Sequence, residues 1–372
     1  MTADPKIKER LSRAADPIAV DVEDHLKRLH GVSSRRRRVS RAGAMALAAA
    51  LALAVVVLLL QVLPSHPAGS SAGDGGLSGT IAYMFMSGGN KLAIVTAPAA
   101  GGAPTVLVQG GQDLLPAYSP DGSMIAFTSN ADSATSAIEI MNSDGTNRHA
   151  VPGAAGALAS WSPDGTALAF LVQGADGESD IHVINIDGTG DRVVTTGAWN
   201  QVSWSPDGSH LAITGSPNVP TPNQSGAQFD LYVVGIDGSG LRQLTNTPTY
   251  EHFPAWSPDG TKIAYYATVS YDDGSAPASI WVVNADGSNP LQLTDRNGFD
   301  AAPVWSPDGS MLAFASDRGA TAAQQAANAD HSGWAGISTY AMNASDGSGV
   351  QIVRDAGSDV LAPSSWTAQP AG

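Results

Sequence analysis

Three carboxylates hold equivalent places in a recurring pattern: Asp113, Glu251 and Asp300 each lie five residues ahead of an aromatic, Tyr118, Trp256 and Trp305. Gly156, Trp199 and Leu361 fill that place in the other copies. At the start of a strand beside a central channel, such an arc of acids, with His252 next to Glu251, would hold a cation such as calcium or a basic side chain. The plainer role is to hydrogen-bond the turn that leads into the strand. Apart from such a cation, no cofactor is expected. Other chemistry finds little support. The eight histidines, His25, His30, His66, His149, His182, His210, His252 and His331, share no zinc-binding spacing and read as isolated surface residues. Cys 0 removes disulfides, thiolate metal sites and a cysteine nucleophile. Gly69-Ser70-Ser71-Ala72-Gly73 has the spacing of a nucleophile elbow but not the strand before it or the helix after it. Asp176 to Asp180 alternates carboxylates without the glycine and glutamate that a calcium loop needs. With no nucleophile–base pair in view, the expectation is a protein that is not an enzyme.

The elements that would position these residues follow from a repeat. Tyr118-Ser119-Pro120-Asp121-Gly122 recurs as WSPDG at Trp161, Trp204, Trp256 and Trp305, with a degenerate copy at Trp366, at spacings of 43, 43, 52, 49 and 61 residues. Ser-Pro-Asp-Gly suits a type I turn, in which Pro presets φ. The aromatic before it is an apolar wedge able to fill space between neighbouring units. Each intact copy leads into a short strand such as Gly260 to Tyr265, then a second strand closed by an x-Asp-Gly turn, as at Asp286-Gly287, and a third short strand. With the segment before the aromatic, every unit has four strands. Units of this size and content predict an all-β fold, a six-bladed β-propeller with four-stranded blades.

The phase of the repeat predicts how the ring closes. The first unit opens at Gly79-Thr80-Ile81-Ala82-Tyr83 without its first strand, and the chain ends on an orphan first strand at Leu361 to Trp366. Together they complete one blade and remove two open edges. Strands alternate direction within a blade, so the WSPDG and x-Asp-Gly turns fall on one side. The long links Thr128 to Ala137, Thr214 to Gln228, Tyr266 to Ser279 and Ala315 to Ala335 fall on the other. That side, with Tyr266, Tyr271 and Trp334 beside the acidic arc, is the candidate recognition surface.

Repeats of the form P-x-W-S-P-D-G-x-x-[IL]-A-[FY], as at Pro254 to Tyr265 and Pro303 to Phe314, resemble those of TolB-type six-bladed propellers over residues 77 to 366. The resemblance implies a non-enzymatic, extracytoplasmic domain for protein–protein contacts at the cell envelope. Similar propellers also precede the hydrolase domain of prolyl-oligopeptidase-like peptidases. Here six residues follow Trp366, which supports the non-catalytic expectation.

Ahead of the repeats, Ala42 to Leu63 runs 22 residues without an ionisable side chain. At about 1.5 Å per residue it is long enough for a hydrocarbon core of about 30 Å and reads as one transmembrane helix. Arg35, Arg36, Arg37, Arg38 and Arg41 precede it and place the N-terminus in the cytoplasm. The expected organisation is a basic cytoplasmic arm (1–41), a transmembrane helix (42–63), a flexible linker (64–78), the propeller (79–366) and a tail (367–372). The arm carries 11 Lys+Arg against 6 Asp+Glu, leaving 8 against 28 for the rest, a body at −20 that repels nucleic acid. The leading expectation is a membrane-anchored, single-pass scaffold whose external propeller binds protein partners at the cell envelope. The alternative is a transmembrane signalling protein, similar in layout to anti-sigma regulators, whose propeller senses a ligand and whose arm binds a cytoplasmic regulator.

Overall fold

The computed structural model describes residues 77–87, 91–111, 113–129, 136–174, 178–218, 229–269, 277–295, 298–321, 324–325, 336–355 and 361–368. The arm, the apolar segment 42–63, most of the linker, Tyr271 and Trp334 lie outside them. Among the described residues no helix is long and apolar enough to cross a membrane.

Units 2 to 6 each become four antiparallel strands, and the three strands of unit 1 are completed by the last strand of the chain. Unit 1 supplies β1 (Thr80–Ser87), β2 (Lys91–Pro98) and β3 (Thr105–Gly111), and unit 2 supplies β4 (Asp113–Tyr118), β5 (Met124–Ser129), β6 (Ala137–Asn142) and β7 (His149–Ala150). Unit 3 holds β8 (Ala157–Trp161), β9 (Ala167–Gln173), β10 (Ser179–Asn185) and β11 (Arg192–Thr195). Unit 4 holds β12 (Ala198–Trp204), β13 (His210–Ser216), β14 (Asp230–Gly235) and β15 (Arg242–Gln243). Unit 5 holds β16 (Tyr250–Trp256), β17 (Lys262–Thr268), β18 (Ala278–Asn284) and β19 (Leu291–Gln292). Unit 6 holds β20 (Asp300–Trp305), β21 (Met311–Ser316), β22 (Ser338–Asn343) and β23 (Gln351–Arg354), and β24 (Leu361–Thr367) ends the chain. Four sheets have four strands. The eight strands of units 3 and 4 form one further sheet, joined by a single parallel pairing, Ser179 with Ala198. The arrangement is an all-β, propeller-like one.

The last strand pairs with the first. β24 lies antiparallel to β1, with Thr80 opposite Thr367 and Ile81 opposite Trp366. Thr367, assigned from sequence to a tail, therefore belongs to the closing sheet, and Leu77 packs against the same cluster as Trp366. The Trp366 indole donates to the Ser78 carbonyl at 2.7 Å.

The turns explain the repeat. In the first copy Gly122 N–H donates to the Ser119 carbonyl at 2.8 Å, Ser119 Oγ donates to Asp121 at 2.6 Å, and Met124 N–H returns to Ser119 Oγ at 2.9 Å. Serine and aspartate thus saturate the backbone of the turn with their own side chains. The same bonds hold Asp207 down to about 2, first through the Ser205 hydroxyl and then through Ser209. Glycine in the x-Asp-Gly turns has two reasons to be there: Gly188 sits at φ 85, and a Cβ on it would press on the Pro152 carbonyl of the preceding unit at 2.6 Å.

The aromatics act as wedges, as the sequence indicates. Trp161 packs with Ala126, Ile138 and Ile140 of unit 2, and Trp305 with Ala264, Ile280 and Val282 of unit 5. The Trp161 indole donates to Ala117 and the Trp305 indole to Ala255, each at 2.9 Å. Burying one such side chain stabilises by about 2–3 kcal/mol, so much of the cohesion between units lies in the repeat aromatic itself.

Candidate functional site

The first strand of several units opens with a buried residue and then a bulge. Leu115, Leu158, Phe253 and Ala302 lie two residues beyond Asp113, Gly156, Glu251 and Asp300, and all four have positive φ, from 51 to 63. The pairing of each first strand with the second shifts at that point. A non-glycine residue held there costs of order 1 kcal/mol, so the bulge persists because neighbouring contacts impose it. One such contact is the Leu158 N–H donating to Thr128 Oγ1 of unit 2 at 2.9 Å.

The three carboxylates at these strand starts are all 0% exposed, and they do not form one site. Asp113 receives Arg148 at 3.0 Å through each of two guanidinium nitrogens, and that guanidinium lies 4.9 Å over the Phe127 ring. Asp300 receives Arg318 at 2.9 Å and the Ser316 hydroxyl at 2.5 Å, with Arg318 stacked over Phe314 at 5.0 Å and Tyr340 at 5.2 Å. In both units a serine stands opposite the acid across the strand pair, Ser129 with Asp113 and Ser316 with Asp300. The arginine arrives by different routes, from the turn ahead of β7 in one and from the link after β21 in the other. The expected acidic arc open to a cation is thus corrected: two of its members are consumed by internal ion pairs. Among the described residues no group of three or more His, Cys, Asp or Glu is placed to hold a metal ion.

Glu251 is built differently. Ala267 stands opposite it, and its carboxylate accepts the hydroxyls of Thr247 at 2.6 Å, Thr249 at 3.1 Å and Thr245 at 3.2 Å. Burial, opposed by the Thr247 bond and reinforced by the nearby Asp230 charge, pushes it up to about 7. His252 is buried too, against the expectation of surface histidines, and burial pushes it down to about 4.

Around His252 the structure assembles what the acids do not. His252 lies opposite Tyr266 across β16 and β17, with ring centroids 5.1 Å apart. Phe253 stacks on Tyr266 at 5.9 Å and 22°, Phe299 approaches the same ring at 6.5 Å, and Phe229 meets both His252 and Tyr250. Tyr250, Phe253, Tyr266 and Phe299 are only part-buried. Behind them Thr214, Asn200 and Gln201 form a buried polar cluster, with the Thr214 hydroxyl 2.6 Å from both side-chain oxygens. Gln201 also accepts the Phe253 N–H at 3.4 Å, so the strained residue is tied to unit 4. Of the candidate residues, Glu251, His252 and Tyr266 come together here, while Asp113 and Asp300 sit in other units.

Residues 231–358 match the family described as the TolB beta propeller domain. That stretch, about a third of the chain, carries TolB-type propeller repeats. The TolB-like fold is similar to TolB from Acinetobacter baumannii, with a TM-score of 0.62 and 20% identity over 79% of this chain and 67% of that one. It is also similar to a TolB-type protein of Agrobacterium tumefaciens, with a TM-score of 0.56 and 21% identity over 78% and 94% of the two chains. At these identities the likeness is one of fold. A third similarity is to dipeptidyl-peptidase 5 of Porphyromonas gingivalis, 39% identical over 56 residues, 15% of this chain and 8% of the peptidase. This chain therefore spans a small part of that relative's length. The match overturns the expectation of a protein that is not an enzyme, because the resemblance extends to part of a peptidase as well as to TolB. The physical reason is plain: serine, proline, aspartate and glycine here build turns, and a turn carries no information about catalysis in either direction.

Proposed function

We propose that this TolB-like propeller has six blades and binds a protein partner outside the cell membrane, through the side that carries Tyr250, Phe253, Tyr266 and Phe299. For the blade count, the eight-stranded sheet is taken as two blades, units 3 and 4, bridged only at Ser179 and Ala198. Five four-stranded units, and a first unit of three strands completed by the terminal strand, support that reading. The tether is the apolar run Ala42 to Leu63, supported by its length and by the arginines ahead of it.

One observation carries the choice of side: a part-buried aromatic cluster is built on a residue held at φ 51, beside links of variable length. Rigid aromatics lose little conformational entropy on contact and dominate protein interfaces. The opposite side is lined by turn aspartates, among them Asp121, Asp164, Asp207, Asp259 and Asp308, whose pKa values are lowered by their own serines and threonines. They stay ionised and hydrated, which disfavours desolvation against a partner.

The test is the affinity of the propeller for a purified envelope partner. Tyr266→Ala and Phe253→Ala should each weaken binding at least about tenfold, the loss typical of an interface hot spot. Asp144→Asn, on the turn side, should leave it unchanged. The reverse ranking would move the partner to the other side.

A further inference from the structure

Glu251 and Asp230 are buried acids that no arginine or lysine reaches among the described residues. Asp230 opens β14, is 5% exposed and takes the Gln243 side-chain amide at 2.7 Å, and Thr247 joins it to Glu251, its N–H reaching Asp230 at 3.4 Å and its hydroxyl reaching Glu251 at 2.6 Å. Two buried acids bridged by one threonine, with no cation beside them among the described residues, repel each other when both are ionised, which favours keeping a proton on one of them. The titratable and charged groups around the pair are few. β14 contributes Asp230 and Tyr232, β17 contributes Tyr265, β16 contributes His252, and β20 begins with Asp300, which Arg318 neutralises. None supplies a positive charge to Glu251, for burial keeps His252 neutral.

The segment that closes over the pair is Thr245 to Thr249, the connection from unit 4 to unit 5. Its three threonine hydroxyls end on Glu251, the Thr247 N–H reaches Asp230 at 3.4 Å, and Thr245 Oγ1 also accepts the Leu231 N–H at 2.8 Å. The next residues are Tyr250, His252 and Phe253.

We propose that Glu251, buried beside Asp230 and capped by three threonines, is a proton-held latch between units 4 and 5, which closes the Thr245–Thr249 connection and loosens it when the proton is lost. The sign follows from the direction of the shift. A carboxyl that prefers its proton in the closed state favours closure fully below its ordinary value near 4.5, and the preference fades as pH rises to about 7. The strand that carries half of the aromatic cluster would then be firmest in mildly acidic surroundings. Only that consequence for a bound partner rests on the proposed function, and the latch itself is read without any partner.

Amide hydrogen exchange of residues 245–252 tests it. After correction for the intrinsic pH dependence of exchange, opening of this segment in the wild-type protein should increase roughly tenfold or more between pH 5 and pH 7.5. Glu251→Gln, which keeps a donor toward Asp230 and an acceptor toward the threonines without a titrating proton, should abolish that increase. Asp230→Asn should move it to lower pH. Carbon-13 NMR of the wild-type Glu251 carboxyl gives an answer even if a variant fails to fold, and its midpoint should lie well above 4.5. Equal pH dependence in wild type and Glu251→Gln, or an ordinary Glu251 midpoint, would overturn the latch.

Discussion

A chain ending at residue 360 should unfold at least about 10 °C below the full-length protein. The missing strand takes with it every pairing of β1 from Thr80 to Phe85 on that edge. It also removes Trp366, 9% exposed within a cluster that includes Ile81 and Tyr83, and Ser365, whose hydroxyl accepts the Tyr118 N–H at 3.0 Å and donates to the Pro116 carbonyl at 3.2 Å. Loss of a buried tryptophan alone costs about 3–5 kcal/mol, and each kcal/mol shifts the midpoint of a protein this size by about 2–4 °C. The exposed edge of β1 adds a tendency to associate. Calorimetry of the truncated and full-length proteins measures the difference. A midpoint within about 2 °C of full length would mean that β24 does not close the structure.

Replacing Arg148 with methionine should cost about 3–5 kcal/mol, because it leaves Asp113 charged and buried with its two guanidinium bonds gone. A second change, Asp113→Leu in the same protein, should recover most of the loss, since the pair as a whole contributes little beyond cancelling its own desolvation. Arg318→Met should behave alike at Asp300. Denaturant midpoints for the single and double variants give the answer. A single variant as stable as wild type would show that water reaches Asp113, and the acids would again be open to a ligand.

These two predictions mark what the sequence makes legible. The turn chemistry of Ser119 to Gly122 and the phase of the repeat were enough to locate every unit and to foresee that residues 361–366 return to β1, because both depend on local signals repeated in step. Burial of the strand-start acids was not legible, nor were their partners. Asp113 finds Arg148 and Asp300 finds Arg318, 35 and 18 residues away, so no fixed spacing reveals the device. The scarcity of cations was a usable signal: with only eight Lys+Arg beyond residue 41, an arginine is seldom idle. The aromatic cluster was found only through Tyr266. Phe229, Tyr250, Phe253 and Phe299 come from one strand and the approaches to two others, and their meeting is a product of the packing of units 4, 5 and 6. His252 looked like one more surface histidine because sequence shows alternation along a strand but not which neighbour covers it.

The aromatic side, and not the aspartate-lined side, is expected to meet the partner. Site-specific photocrosslinking in intact cells tests it most directly, with a photoreactive residue placed in turn at Tyr266, at Phe253, and at Asp144 and Asp286 in the turns of units 2 and 5. The claim predicts one discrete adduct, the same in mass, from Tyr266 and Phe253, and none from Asp144 or Asp286. Discrete adducts from the turn positions alone would contradict it.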